Sequence, residues 1–203
     1  SATEDYSGLN TIIMNNVMYT TPEENERLRG FVRNGGTLIA TGLTSLYEPD
    51  GSTSGDFGLA DVFGVSVADG KAKRFHYLSF TDRRWLVSSH AGAPFVRAAG
   101  AQVVAQIVEP LFDPDAEQYA SIHSNPPGVT TDYAGLTVHP FGKGQCIYLS
   151  SPVLSLQQDA QQMFGAWLFR EYSPSAIVLE TNAPPCVEIT ASRSTTENAY
   201  LVS

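Results

Sequence analysis

Leu9-Asn10-Thr11-Ile12-Ile13-Met14, closed by Asn15-Asn16, is followed by Thr21-Pro22-Glu23-Glu24 and then, after Leu28, Phe31 and Val32, by Gly35-Gly36-Thr37-Leu38-Ile39-Ala40-Thr41. The first apolar run reads as a strand buried on both faces and ended by turn formers. Thr21, Pro22 and Glu24 supply an N-cap, a proline at the first helical position and the third-position glutamate of a capping box. Leu28, Phe31 and Val32 give the helix one apolar face, and Gly35 and Gly36 end it. Thr37–Thr41 is a second buried strand, so residues 9–41 form a β-α-β unit with parallel strands and a right-handed crossover. The fold class this predicts is α/β, a flavodoxin-like parallel sheet with helices on both faces.

Outward from this unit the signals change. Residues 42–55 are rich in Gly, Ser, Thr, Pro and Asp and read as a surface loop, with Asp56 placed to cap a short helix through Leu59, Val62 and Phe63. Between Lys71 and Gln118 lie short β-type segments, notably Val103–Val108, with a turn at Ala91-Gly92-Ala93-Pro94. They predict an antiparallel insertion over about residues 71–124. Asn125-Pro126-Pro127-Gly128 breaks the chain, after which Leu136–His139 and Gln145–Leu149 flank the turn Phe141-Gly142-Lys143-Gly144 and predict a hairpin. A second helix is expected from Ser155 to about Glu171, with Ser155 and Gln158 as a capping pair and Met163, Phe164 and Trp167 packed on the sheet. Ser173-Pro174 stops it. Strands are expected at Ala176–Glu180, Cys186–Thr190 and Ala199–Val202, the last running into the chain end as if cut from something longer.

Composition narrows the function classes. The 203 residues are 42% apolar and 16% charged, as in a globular chain and unlike a disordered tail or a coiled coil. No apolar run approaches the roughly 20 residues of a spanning helix, no leader pattern opens the sequence, and no membrane partner is expected. A net charge of −9 repels a phosphate backbone, so no nucleic-acid partner is expected either. Compartment is not encoded in these features, and the cytoplasm is the default.

Reactive constellations are sparse. No G-x-S-x-G or G-x-C-x-G turn presents a nucleophile. Cys146 lies in a predicted strand and Cys186 follows two prolines; the pair could form one disulfide at most, and the favoured reading is two separate buried thiols. His76, His90, His123 and His139 are scattered singly and read as surface or hydrogen-bonded histidines. Asp113-Pro114-Asp115-Ala116-Glu117 offers alternate carboxylates, but its proline and its missing turn glycine favour a solvated loop over a calcium site. Gly142-Lys143-Gly144 lies between strands and reads as a turn, not a phosphate loop. No catalytic residue, metal ligand or cofactor is therefore assigned.

The run Leu28–Gly42 with Thr44-Ser45-Leu46-Tyr47, then Phe57–Val65, then Phe141–Leu149, resembles in order the amidotransferase-like trimerisation domain of family 42 β-galactosidases and related glycoside hydrolases. The resemblance implies a class I glutamine amidotransferase-like fold over residues 1–175, with 176–203 closing it and opening a further β segment. It also implies a non-catalytic assembly role, with the chain's own catalytic barrel and neighbouring subunits as partners in a homo-oligomer. A barrel of roughly 250 residues does not fit in this chain. The family's nucleophile position falls near Thr41 or Gly42, neither of which is a thiol. Val138-His139-Pro140-Phe141 is similar to the amidotransferase His-Pro-Glu motif, with Phe141 in place of the glutamate.

What would remain of the ancestral pocket is Asn15, Asn16, Thr41, Gly42 and Thr44. Two other readings stay open: a stand-alone amidotransferase-like hydrolase or esterase, and a module binding a sugar or small metabolite at those strand ends. Family domains usually carry a strand, helix and strand before the element at Leu9, so one sheet edge is expected to be covered by another segment or by self-association burying more than ~1,000 Å².

Overall fold

A computed structural model describes residues 6–82, 85–112, 125–155, 158–173, 181–184, 187–196 and 199–202. Strand β1 (Thr11–Asn15), helix α1 (Pro22–Arg33) and strand β2 (Thr37–Thr41) form the expected unit. β1 and β2 pair directly and in parallel, from Thr11 opposite Thr37 to Asn15 opposite Thr41. The capping box is present: Glu24 N–H donates to Thr21 Oγ1 at 3.1 Å, and Thr21 N–H donates to Glu24 Oε2 at 2.8 Å.

The rest of the sheet departs from the parallel expectation. After α2 (Ala60–Phe63) come β3 (Val65–Ala72), β4 (His76–Phe80), β5 (Leu86–Ser89), β6 (Ala93–Ala98) and β7 (Gln102–Pro110). Then follow β8 (Pro127–Phe141), β9 (Gly144–Leu149), α3 (Asp159–Tyr172), β10 (Ala191–Arg193) and β11 (Tyr200–Val202). Seven strands make one mixed, curled sheet in the order β1-β2-β9-β8-β7-β4-β5. Only the β1-β2 and β2-β9 pairs are parallel, and the other four are antiparallel. The physical reason is connection length: the β4-β5 and β8-β9 hairpins fold back directly, and a tight turn permits only antiparallel pairing. β4, β5 and β7 thus extend the main sheet, while β3 and β6 form a separate antiparallel ribbon.

Period-two alternation builds a core on each face of the sheet. Leu38, Ala40, Cys146 and Tyr148 point to one face, where Leu28 and Val32 of α1, Val62 and Phe63 of α2, Val65 of β3 and Val96 of β6 cover them. Ile39, Ile147 and Leu149 point to the other, beneath Phe164 and Leu168 of α3. Helices therefore do lie on both faces. Half-buried Trp167 meets Phe80 and Trp85 edge-on at 5.4 and 5.6 Å.

Five local expectations are corrected. β1 is not buried on both faces: it ends the sheet, only Met14 is buried, and Ile13 is 48% exposed. α3 begins at Asp159 after Gln158, which makes no side-chain cap, while Ser155 lies in a 3-10 turn, Val153–Ser155. Met163 points outward at 66% exposure, because α3 presents Phe164 and Leu168 to the sheet and Met163 stands off that stripe. Asp56 does not cap α2; its Oδ1 accepts from the N–H groups of Phe57 and Val67 and ties the loop to β3. In the C-terminal region β11 falls in the expected Ala199–Val202, whereas residues 187–190 are not a strand and β10 follows them. Ala176–Glu180, Cys186, His123 and the acidic run Asp113–Glu117 lie outside the described residues.

Candidate functional site

The ends of β1 and β2 bring the five strand-end residues together. Asn16 takes a left-handed backbone, φ +57°, a conformation that asparagine tolerates better than most residues. The turn lets Asn16 N–H donate to Thr41 Oγ1 at 2.9 Å, while Thr41 Oγ1 donates to Asn15 Oδ1 at 2.8 Å. Asn16 Oδ1 accepts from Leu43 N–H at 2.9 Å. Thr44 Oγ1 donates to the Thr41 carbonyl at 2.7 Å and accepts from Val17 N–H at 3.2 Å. Gly42, φ +61°, leaves no room for a side chain, since a Cβ there would stand 2.3 Å from Asn16 Oδ1. Its carbonyl accepts from Tyr148 Oη at 2.7 Å. Thr41 and Thr44 are fully buried, and their hydroxyls bond to the protein itself. Chemically this cluster is a hydrogen-bonded splice between two strand ends.

Among the described residues, no thiol or histidine converges on the splice. Cys146 is buried in β9, and burial pushes its thiol far up from the ordinary range. His139 Nδ1 donates to the Val62 carbonyl at 3.0 Å on the α2 side. His76, read from sequence as a surface or hydrogen-bonded residue, is fully buried in β4. Its Nδ1 donates to the Lys73 carbonyl at 2.9 Å, and Nε2 has no hydrogen-bond partner among the described residues. Burial lowers its pKa, with Glu109 opposing that shift and His90 adding to it. Among the described residues, no group of three or more His, Cys, Asp or Glu could hold a metal ion.

The sequence profile of the β-galactosidase trimerisation domain matches residues 1–174. The chain belongs to this family. Solved structures share the fold at low identity. They include a β-galactosidase from Bacillus circulans sp. alkalophilus, with 21% identity, TM-score 0.69, 94% of this chain and 26% of that one. A cold-adapted β-galactosidase from Rahnella sp. R3 matches with 20% identity and TM-score 0.65 over 95% of this chain and 26% of its own. An α-L-fucosidase from Paenibacillus thiaminolyticus matches with 16% identity and TM-score 0.78 over 99% of this chain and 30% of its own. The chain thus spans less than a third of the length of these relatives. No curated protein matches the sequence.

The β1 end of the sheet carries a group of exposed apolar residues. Leu9, Ile13, Val17, Met18 and Tyr19 are each 41–51% exposed within eleven consecutive positions. Beyond β1 the same edge continues alongside the β2 loop, where Ser45 N–H donates to the Val17 carbonyl and Tyr47 N–H to the Met18 carbonyl, both at 2.9 Å. A cleft of about 590 Å³ adjoins Leu9, walled by Tyr6 and Phe31, which meet edge-on at 6.0 Å, with Arg27, Asn10 and Asn34 around them. Sequence reading anticipated a sheet edge in need of cover. It missed Val17, Met18 and Tyr19, although three apolar residues in a row just before a helix cap are a legible sign of a sticky surface.

Proposed function

We propose that this chain is a non-catalytic assembly domain of a β-galactosidase-like multidomain glycoside hydrolase, associating with copies of itself and with the protein's own catalytic barrel. The observation that carries the reading is the set of five large apolar side chains, each 41–51% exposed, on the edge strand β1 and the segments that flank it. Monomeric proteins seldom leave such a row in water, and covering it with another subunit removes the apolar area at roughly 25 cal/mol per Å². The Tyr6–Phe31 cleft beside Leu9 supports the same face, because it gives a partner side chain a recess to enter. The strand-end splice then serves as a structural lock that holds the edge straight, in place of a pocket. Three parallel strands with α1 and α3 on opposite faces fit descent from an amidotransferase-like sheet to which the antiparallel strands were added.

Sedimentation velocity at micromolar concentration tests the assignment. The expected result is an oligomer that the double substitution Ile13→Lys and Met18→Lys converts to monomer, with the circular dichroism spectrum unchanged. A monomeric parent chain would overturn the reading.

A further inference from the structure

A second cleft, remote from the β1 edge in the sheet order, opens at the carboxyl end of β9. It has a volume of about 450 Å³ and is lined by Arg74, Ser89, His90, Pro152, Gln158 and Gln161. That volume is in the usual range for a small-molecule site, and carboxyl ends of parallel strands are where α/β sheets place their ligands. Among the described residues the lining is mostly polar, with Ala91 and Val153 beside the polar groups, and carries no carboxylate, in a chain whose formal charge is −9.

The groups around the cleft are held by bonds made behind it. Gln158 Oε1 accepts from Ser88 Oγ at 3.2 Å, and Gln161 Nε2 donates to the Ser88 carbonyl at 3.1 Å, which fixes both amides against β5. Ser89 Oγ bonds Ser151 Oγ, anchoring the floor to the segment after β9. His90 packs against the Phe75 ring at 4.9 Å and brings Nε2 to 3.3 Å from Gln158 Nε2. Arg74 differs from these. Its Nε donates to the His90 carbonyl at a long 3.4 Å, and its two terminal nitrogens have no partner among the described residues. An arginine fork in this state matches the two oxygens of a carboxylate, while the glutamine amides and the His90 ring nitrogens offer hydrogen-bond partners for hydroxyl groups.

We infer that the Arg74–His90–Gln158 cleft is a binding site for a small hydroxylated carboxylate of the sugar-acid type, with Arg74 receiving the carboxylate. This site is independent of the assembly surface and survives if that proposal fails.

The test uses the whole chain, nitrogen-15 labelled, titrated with D-glucuronate, acetate and D-galactose. Glucuronate is expected to give saturable amide shifts at Ala91, Gln158 and Gln161, with acetate and galactose each binding more weakly. Arg74→Ala should weaken glucuronate binding at least about tenfold, as expected for loss of a charge-assisted pair, and Arg74→Lys should restore part of it. Arg74 is exposed, so the variants keep the fold. Absence of saturable glucuronate shifts at those amides overturns the proposal. So does galactose binding as tightly as glucuronate, or Arg74→Ala binding as tightly as the parent.

Discussion

Gly144 and Gly36 meet with no space for a side chain between them: a Cβ on Gly144 would lie 2.2 Å from the Gly36 carbonyl oxygen and 2.4 Å from that of Val32. The β8-β9 turn is thereby pressed onto the end of α1, where Lys143 N–H donates to the Arg33 carbonyl at 3.0 Å. Because the obstacles are backbone atoms, they cannot swing aside. Gly144→Ala is expected to destabilise the domain by about 3 kcal/mol, read as a lower urea midpoint at unchanged slope. Gly30→Ala, in the same helix with nothing within 4 Å of its new methyl, should stabilise by about 0.5–1 kcal/mol.

The strand-end splice predicts a polar cost without a volume change. Thr41→Val keeps the shape but removes the acceptor for Asn16 N–H and the donor for Asn15 Oδ1. A loss of about 1–3 kcal/mol is expected in equilibrium unfolding. Thr44→Val should cost a similar amount, since Val17 N–H and the Thr41 carbonyl lose their shared hydroxyl.

Cys146 should be silent in the native state. Its thiol is fully buried and held protonated by burial, so a disulfide reagent at pH 8 can reach it only through unfolding. In a Cys186→Ser background, labelling is expected to track the unfolding rate and to accelerate with urea. Rapid labelling without denaturant would contradict the buried position.

His76 sets an acid limit on stability. Its folded pKa lies below the ordinary imidazole value because burial disfavours the cation. Above the unfolded pKa of about 6.5 both states are neutral and nothing is lost. As the pH falls below it, the unfolded chain takes up a proton that the folded one resists, and stability declines until the folded pKa is reached. The urea midpoint should therefore drop from pH 7 towards pH 5, and His76→Gln should flatten that drop even if it lowers stability at pH 7.

What could be read from sequence divides along the range of the forces involved. The unit from Thr11 to Thr41 was legible because Thr21, Pro22, Glu24 and the Leu28-Val32 stripe act within a few residues of one another. The Phe141–Gly144 turn was legible for the same reason, although the strand before it begins as early as Pro127. The partners of those strands were not legible. Nothing near Leu78 or Ile107 says that β4 and β7 continue the sheet that starts at β1, since that choice depends on apolar faces meeting across the whole domain. Nor does the Ile12-Ile13 pair reveal that one of the two faces water at a sheet end. At the strand ends, Asn16, Thr41 and Thr44 lie side by side, and their mutual hydrogen bonds depend on the left-handed turn at Asn16. The Arg74 cleft joins residues from β5, α3 and three connecting segments, a convergence that no local pattern announces.

The place of β9 in the sheet orders events during synthesis. It lies between β2 and β8, so Leu38 and Ile39 gain their parallel neighbours Cys146 and Ile147 only after more than a hundred further residues have been made. Until then the β1-α1-β2 unit is a two-stranded ribbon with one helix, too little apolar cover to persist alone in water. A nascent chain must wait for Leu149 to leave the ribosome before the segment from Thr11 to Thr41 can settle, and in that interval two β2 segments from neighbouring polysomal chains can pair with each other instead. Native yield should thus respond to chaperone supply and to translation speed over the β4–β8 stretch, rather than to the strength of α1.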